Sequence, residues 1–512
     1  MNTKYFLALG ALTLVAQAAF AQGTTQAILA KPPKDSWPSY HGDYTGQRHS
    51  ALTQITPQNV KNLTLAWAYQ SGANAQIKAS PLLVDGVIYF STPDNVYAVD
   101  ARNGRQIWHY TYPANKGFHI GSRGVSMYGD WLYFMTPDSY LICLNAKDGT
   151  VRWKVQVADA AKGYWTTMSP LIIRNHVLVG VSGDFDNLTG FVRSVDPENG
   201  KTQWKWDSTP PAGTPNTTTG GMTWMTGTYD PETDTVFWGT GNPTPVLNGA
   251  SRPGNNPDTC SIVALDPNTG TKKWAFQASP HDTHDWDAVE IPVLANMEFG
   301  GRQRKLLMQA SRNGYFFVLD RETGEGLVSK PFGPVNWSLG VDKKGQPIPN
   351  PAKDPASDGR LIAPDEGGLT NYRSPSFDPK TGLFLVSARP SYGIYFNKPA
   401  DGAFGWAGAD YGVWSKGEIQ AIDYKTGNAK WVHDLGGNGS GAGILTTESG
   451  LAFTGDGQGN VMALRTSDGK TLWHAMQGQS MQSSPITYEL DGRQYLITSG
   501  GGVMFAWALP ED

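Results

Sequence analysis

The chain has 512 residues, including 60 Gly, 34 Pro and 18 Trp, with 17% charged residues and a formal net charge of −4 at pH 7. So many aromatics exclude a disordered chain, so few charges exclude a coiled coil, and the lack of a basic surplus excludes the electrostatic footprint of a nucleic-acid binder. A turn-rich globular protein of the all-β class remains, and its length fits either several domains or one long repeat.

The N-terminus reads as a cleavable export signal. Lys4 precedes an almost wholly apolar or small run from Phe6 to Ala19, and Ala19-Phe20-Ala21 forms an A-x-A cleavage site. That run is too short to span a membrane, and no other stretch approaches the roughly 20 apolar residues a span needs. The signal predicts a periplasmic chain. Cys143 and Cys260 are the only cysteines and form no C-x-x-C or C-x-x-C-H motif, leaving two small buried residues or one bridge.

From residue 96 onward one phrase recurs. Val96-Tyr-Ala-Val-Asp-Ala-Arg-Asn-Gly-Arg-Gln-Ile-Trp108 returns as Leu141 to Trp153, Val192 to Trp204, Ile262 to Trp274, Ile419 to Trp431 and Val461 to Trp473. Phe316 to Gly324 keeps the first half, with Val328 in the place of Trp. Each copy reads as a strand, a tight Asp/Asn-x-x-x-Gly turn and a second strand opening near Trp. The small residue two before the Asp leaves room for a large neighbour, and the Trp can fill a slot between sheets while its indole N–H finds an acceptor. Trp67 has the Trp without the turn, and Phe505-Ala-Trp-Ala508 has the strand without the following Trp. Seven internal copies and one split copy predict an eight-bladed β-propeller closed by both chain ends, a single domain over residues 22–512. Two Pro-rich insertions, 209–219 and 346–355, interrupt the blade period, as site-building loops do.

Chemistry must come from the irregular residues. Pro280 to Asp287 holds two imidazoles and three carboxylates. Carboxylates two apart on an extended segment share a face, so Asp285 and Asp287 could reach one cation or share a proton. A solvated charged loop is the alternative. Trp224, Asn242, Arg312 and Asn371 each follow or open a blade strand; together they offer an aromatic plane, amides and a cation to a central funnel.

On these residues the chain resembles the exported quinoprotein alcohol dehydrogenases, which bind pyrroloquinoline quinone (PQQ) and a cation on a propeller axis. The likeness runs from about residue 35 to 508 through the docking phrases, Ser122-Arg-Gly-Val125, Gly239-Thr-Gly-Asn-Pro243, Ala310-Ser-Arg-Asn-Gly314 and Ser374-Pro-Ser-Phe-Asp-Pro379. It implies Asp285 as catalytic base and Arg312 as the arginine that hydrogen-bonds the reactive quinone carbonyl. It further implies Trp224 as the stacking floor, Arg123, Thr167, Ser182 and Asn371 as PQQ contacts, and Asn242, Asp285, Asp287 and Asp184 around Ca2+ or a lanthanide. A small-molecule alcohol and a soluble cytochrome c-type acceptor are the implied partners, since the chain has no haem motif.

The pattern also departs from the family. Gly117-Phe118 stands where the family has adjacent cysteines, and Phe118 could stack in their stead. Phe185 stands where it has a cation-ligating glutamate, which Asp184 or Asp186 could replace. Lys78 and Gly441 replace a glutamate and a tryptophan. Asp287 matches an extra carboxylate of lanthanide-preferring members. A cofactorless propeller serving as a binding or scaffold module of the envelope is the alternative.

Overall fold

The computed structural model describes residues 23–185, 187–211, 218–399, 405–437 and 439–511. The export signal expected at 1–21, Asp186 and most of the 209–219 insertion lie outside them. Among the described residues strands dominate and form eight four-stranded antiparallel sheets, one of which gains a fifth strand, His49–Ser50, in parallel, and three smaller sheets of two or three strands beside them.

Blades 1 to 3 are built from strands Leu82–Val84 to Gln106–Thr111, Ser126–Tyr128 to Val151–Gln156, and Leu171–Ile173 to Thr202–Asp207. Blades 4 to 7 run from Thr228–Asp230 to Lys272–Gln277, Val293–Phe299 to Gly326–Pro331, Ser376–Asp378 to Ala429–Asp434, and Leu445–Thr447 to Thr471–Met476. Blade 8 takes Ile486–Leu490, Arg493–Gly500 and Val503–Ala508 from the C-terminus and Thr64–Gln70 from the N-terminus, with Trp67 opposite Ala506. The first strand is buried throughout in blades 1, 3, 4, 6 and 7 and buried at its start in blades 2, 5 and 8, whereas the last strand is mostly exposed or half-buried, as in strands 82–84 and 106–111. The first strands therefore lie innermost.

The repeated phrase works through two neighbours. The small residue before the turn is the cross-strand partner of its own Trp: Ala98 faces Trp108, Cys143 faces Trp153, Ser194 faces Trp204, Ala264 faces Trp274, Ala421 faces Trp431 and Ala463 faces Trp473. Cys143 is thus a small residue under a ring, and both cysteines are free and buried. The ring itself covers the turn glycine of the next blade. Gly104 has φ 75°, and a Cβ there would sit 2.8 Å from the Trp67 ring, so both backbone and space demand glycine. Trp67, Trp108, Trp153, Trp204 and Trp431 donate their indole N–H to Ala101, Ala146, Pro197, Pro267 and Thr466 carbonyls of the following blade, at 2.8–3.1 Å. Where the phrase lacks its Trp, Val328 meets Gly427 instead.

A strap over residues 37–50 ties the innermost strands together. It reaches Leu83, Ile172, Tyr229, Leu294, Phe377, Thr446 and Pro485 by hydrogen bonds, one residue from, or just ahead of, the first strand of every blade except the second. The 346–355 insertion folds back toward the Pro280–Asp287 segment. His284 Nε2 lies 3.0 Å from the Lys353 carbonyl, and Thr283 Oγ1 donates to Asp354 at 3.3 Å.

Candidate active site

A cavity of about 280 Å³ opens among the blades and is lined by residues from Lys78 to Trp406. Asp285, Arg312, Arg123, Thr167, Ser182, Trp224, Asn371, Asn242, Asp287 and Asp184, the ten residues singled out in the sequence, all line it.

One wall is acidic. The Pro280–Asp287 segment divides by role: Asp282 Oδ2 accepts the backbone N–H groups of His284, Asp285 and Trp286, which folds the turn. His284 stacks on Trp286 at 4.2 Å, turns Nε2 to the Lys353 carbonyl and does not line the cavity; burial holds its pKa at about 3, so it packs as a neutral ring. Only Asp285 and Asp287 line the cavity, with Asp285 in the left-handed backbone region at φ 67°. Arg312 binds the two together: Nη2 donates to Asp285 Oδ2 at 2.8 Å and Nη1 lies 3.3 Å from Asp287 Oδ2. The same Nη2 meets the carbonyl of Glu366 at 2.8 Å and its Oε1 at 2.9 Å.

Asp287 also accepts the Trp224 indole N–H at 2.6 Å and the Asn242 backbone N–H at 2.6 Å. Asp184 faces the cavity beside them, while the Phe185 ring packs against Gly163, where a Cβ would come within 2.4 Å of it. Burial raises Asp184 to about 6, and the Asp287 charge adds to the rise. Burial likewise lifts Asp285 and Asp287 against the pull of Arg312. Asp285, Asp287 and Glu366 drive Arg312 well above its ordinary value although burial opposes them. With Asp184, four carboxylates thus share one guanidinium, and a bound cation would relieve that excess. Among the described residues, no three His, Cys, Asp or Glu side chains form a ready-made metal cage. Asp285 and Asp287 are turned to Arg312 instead.

The other wall is basic and aromatic. Arg123 is 8% exposed and donates to Thr167 Oγ1. Among the described residues no carboxylate pairs with it, and its Nε has no acceptor. Burial lowers its pKa, the mark of a cation short of an anion. Its guanidinium lies 4.9 Å from the Trp224 ring and 5.1 Å from Tyr372, so Trp224 stacks on Arg123 in this conformation. Lys78 lines the same cavity. A planar quinone bearing carboxylates suits this half and a cation suits the acidic half, so the residues present fit both groups.

Some expectations change. Phe118 is 46% exposed and meets Trp165 edge-on at 4.6 Å; Trp165 lines the cavity and Phe118 does not. At Gly441 a side chain would collide with the Gln482 amide 2.3 Å away, and Gln482 Oε1 accepts the Tyr372 hydroxyl at 3.0 Å. Trp165, Glu366, Tyr372 and Trp406 are lining residues that sequence reasoning missed. Glu366, in Asp365-Glu-Gly-Gly368, carried the one available signal: an acidic residue beside the glycines that precede Asn371.

Comparison with known proteins shows the family of the chain. The family model of the PQQ-dependent glucose/ethanol/alcohol dehydrogenase β-propeller domain matches residues 37–350, and that of the outer membrane protein assembly factor BamB matches 415–507. The chain is 34% identical to the quinoprotein alcohol dehydrogenase PedH of Pseudomonas putida, covering 96% of this chain and 91% of that one. It is 30% identical to 1-butanol dehydrogenase (cytochrome c) of Thauera butanivorans, over 91% and 74% respectively. A solved europium-containing methanol dehydrogenase superposes with a TM-score of 0.86 at 27% identity, covering 94% of this chain and all of that one. The chain belongs to the PQQ-dependent quinoprotein alcohol dehydrogenases.

Proposed function

We propose that this protein oxidises a small-molecule alcohol with PQQ and Ca2+ or a lanthanide, in the periplasm, and hands electrons to a separate cytochrome c-type protein. The observation that carries the reading is the division of one cavity into a carboxylate wall around Arg312 and a wall with an unpaired Arg123. When bound, PQQ supplies the carbonyl that accepts hydride from the alcohol carbon.

The chain's own residues do the rest. Arg123, Thr167, Ser182 and Asn371 hold the carboxylated quinone, with Trp224 and Tyr372 as aromatic faces. Asn242, Asp287 and Asp184 hold the cation, and Asp184 stands in for the glutamate lost at Phe185. Asp285 takes the hydroxyl proton of the alcohol, for which it must be ionised; the cation and Arg312 both favour that state. Arg312 then serves as a hydrogen-bond donor to charge that develops at the acceptor. Residues 22–512 act as one propeller unit, and no helix among the described residues is long and apolar enough to cross a membrane. The cofactorless scaffold reading leaves the two charged walls unexplained.

The test is equilibrium binding of PQQ to the metal-free chain, followed by calcium or lanthanum. A bound-quinone spectrum and alcohol-dependent reduction of an artificial acceptor are the expected results. Absence of PQQ binding with either metal overturns the reading.

A further inference from the structure

A second cavity, of about 270 Å³, lies between the N-terminal arm and the strap, and shares no lining residue with the first. Its deepest charge is Arg48, 1% exposed. Nη1 donates to the Tyr40 carbonyl at 2.5 Å and approaches Ser80 Oγ at 3.2 Å, and Nη2 donates to the Pro485 carbonyl at 2.6 Å. All three acceptors are neutral, and among the described residues Nε has none and no carboxylate pairs with this guanidinium. Burial pulls its pKa down to about 10. Two other buried arginines are balanced by charge, Arg321 by Asp230 at 2.8 Å and Arg312 by three carboxylates. Arg252, 3% exposed, has no carboxylate partner among the described residues either, but its Nε, Nη1 and Nη2 all donate to oxygens, those of Pro245, Asn256, Val246 and Asp282. Arg123, the comparable unbalanced case, faces the cofactor cavity.

Two more buried groups lining the cavity lack partners. Trp37 Nε1 has no acceptor. His41 Nε2–H donates to the Gly227 carbonyl at 3.2 Å, so Nδ1 carries a lone pair, and it has no donor. Burial and the Arg48 charge hold that imidazole neutral, with a pKa of about 3. Asp43 also lines the cavity, but its Oδ1 is turned to the Thr45 N–H and Oγ1 at 2.8 and 2.7 Å. Lys31 and Lys34 stand exposed at the mouth, without a carboxylate partner among the described residues. Unpaired donors around a buried cation, under a basic rim, suit an anion. Pro32, Pro33 and Leu52 add an apolar side.

We propose that this cavity binds a small organic carboxylate, whose oxygens accept from Arg48 Nε and Trp37 Nε1 while its apolar body lies along Pro32, Pro33 and Leu52. A hydroxyl or water beside it donates to His41 Nδ1. Two donors and an apolar side suit a monocarboxylate better than phosphate, which needs more donors.

The experiment is a calorimetric titration of sodium propionate into the full chain, loaded with PQQ and calcium so that Arg123 is occupied, with ionic strength held by sodium chloride. Saturable one-to-one binding is expected. Trp37→Phe keeps the ring, removes the donor and should weaken binding about tenfold. The exposed pair Lys31→Glu/Lys34→Glu should weaken it about threefold and reduce its salt dependence. These two variants are the decisive ones, because Arg48→Gln endangers the strap. The proposal is overturned by no saturable heat, by inorganic phosphate binding at least as tightly, by unchanged affinity in both variants, or by competition between propionate and the alcohol substrate.

Discussion

The rim of this molecule and its axis are built on opposite rules. At the rim one solution is copied from blade to blade: a Trp over the next blade's glycine, a small residue beneath it, an indole N–H on the next carbonyl. At the axis no phrase is repeated, and the groups repel, with four carboxylates around one guanidinium and, among the described residues, an arginine that pairs with no anion. The rim stores stability as packing. The axis surrenders some of it to hold charges that only a cofactor and a cation can balance. Substitutions should therefore divide cleanly: rim changes cost stability and spare chemistry, and axis changes cost chemistry and spare stability or improve it.

The largest expected effect is at the axis. Asp285→Asn removes the proposed base and should lower turnover by about 10²- to 10⁴-fold. Because burial opposes ionisation of Asp285, the variant should be at least as stable without cofactor as the parent, and PQQ should still bind. Steady-state kinetics with thermal denaturation checks both halves; turnover within twofold of the parent removes Asp285 from the reaction.

At the rim, Trp108→Ala empties a slot 8% exposed and removes the 2.9 Å bond to Ala146. A loss of about 3 kcal/mol is expected from denaturant unfolding, with turnover of the folded protein unchanged. The junction of blades 5 and 6 sharpens the comparison, since Val328 already closes that slot without a Trp. Val328→Ala should cost only about 1 kcal/mol. Equal losses at the two sites would show that the ring contributes no more than an aliphatic side chain.

Much of the rim was legible in the sequence because it repeats: seven phrases in one frame give period, blade number and closure, and Trp67 and Ala506 do pair as the split copy requires. What the phrase could not show was that its Trp serves the next blade, since that contact crosses about 40 residues and closes only in three dimensions. At the axis Asp285, Asp287 and Arg312 stood out by charge and by family resemblance. Tyr372 and Trp165 did not, because an aromatic between strands looks the same whether it meets a core or a cavity. The Arg123 contact to Tyr372 joins blades far apart in sequence, and the Asp287 contact to Trp224 spends as hydrogen-bond acceptor a carboxylate read as a cation ligand.

Asp184→Asn tests the cation side of the axis. With a folded pKa of about 6 against 3.8 unfolded, Asp184 is protonated more easily in the folded chain, so its charge costs stability at pH 7. Removing it should stabilise the metal-free protein by about 1–2 kcal/mol and weaken calcium or lanthanum binding at least tenfold. Calorimetry with PQQ present measures the second effect. Unchanged metal affinity would exclude Asp184 as the replacement for the missing glutamate.

The smallest effect isolates one buried acid behind Arg312. Glu290 is 3% exposed, its carboxylate lies by the backbone N–H groups of Glu290 and Arg312 without a well-aligned hydrogen bond, and burial raises its pKa to about 8. Below its unfolded value of 4.5 both states are protonated and it costs nothing. As pH rises from 4.5 to 8 the unfolded chain ionises while the folded chain retains the proton, so stability falls, by up to about 1.4 kcal/mol per pH unit. Buried His41 and His284, with folded pKa values of about 3, act in the opposite sense and only below pH 6.5, where the unfolded imidazole takes up a proton. The difference between parent and Glu290→Gln over pH 6.5–8 therefore reports Glu290 alone. The parent should lose stability across that window and the variant should lose less. Trp108→Ala should keep the full slope of the parent, because nothing at the rim titrates with the axis. A rim variant that flattened the slope would mean that the two regions share their energetics after all.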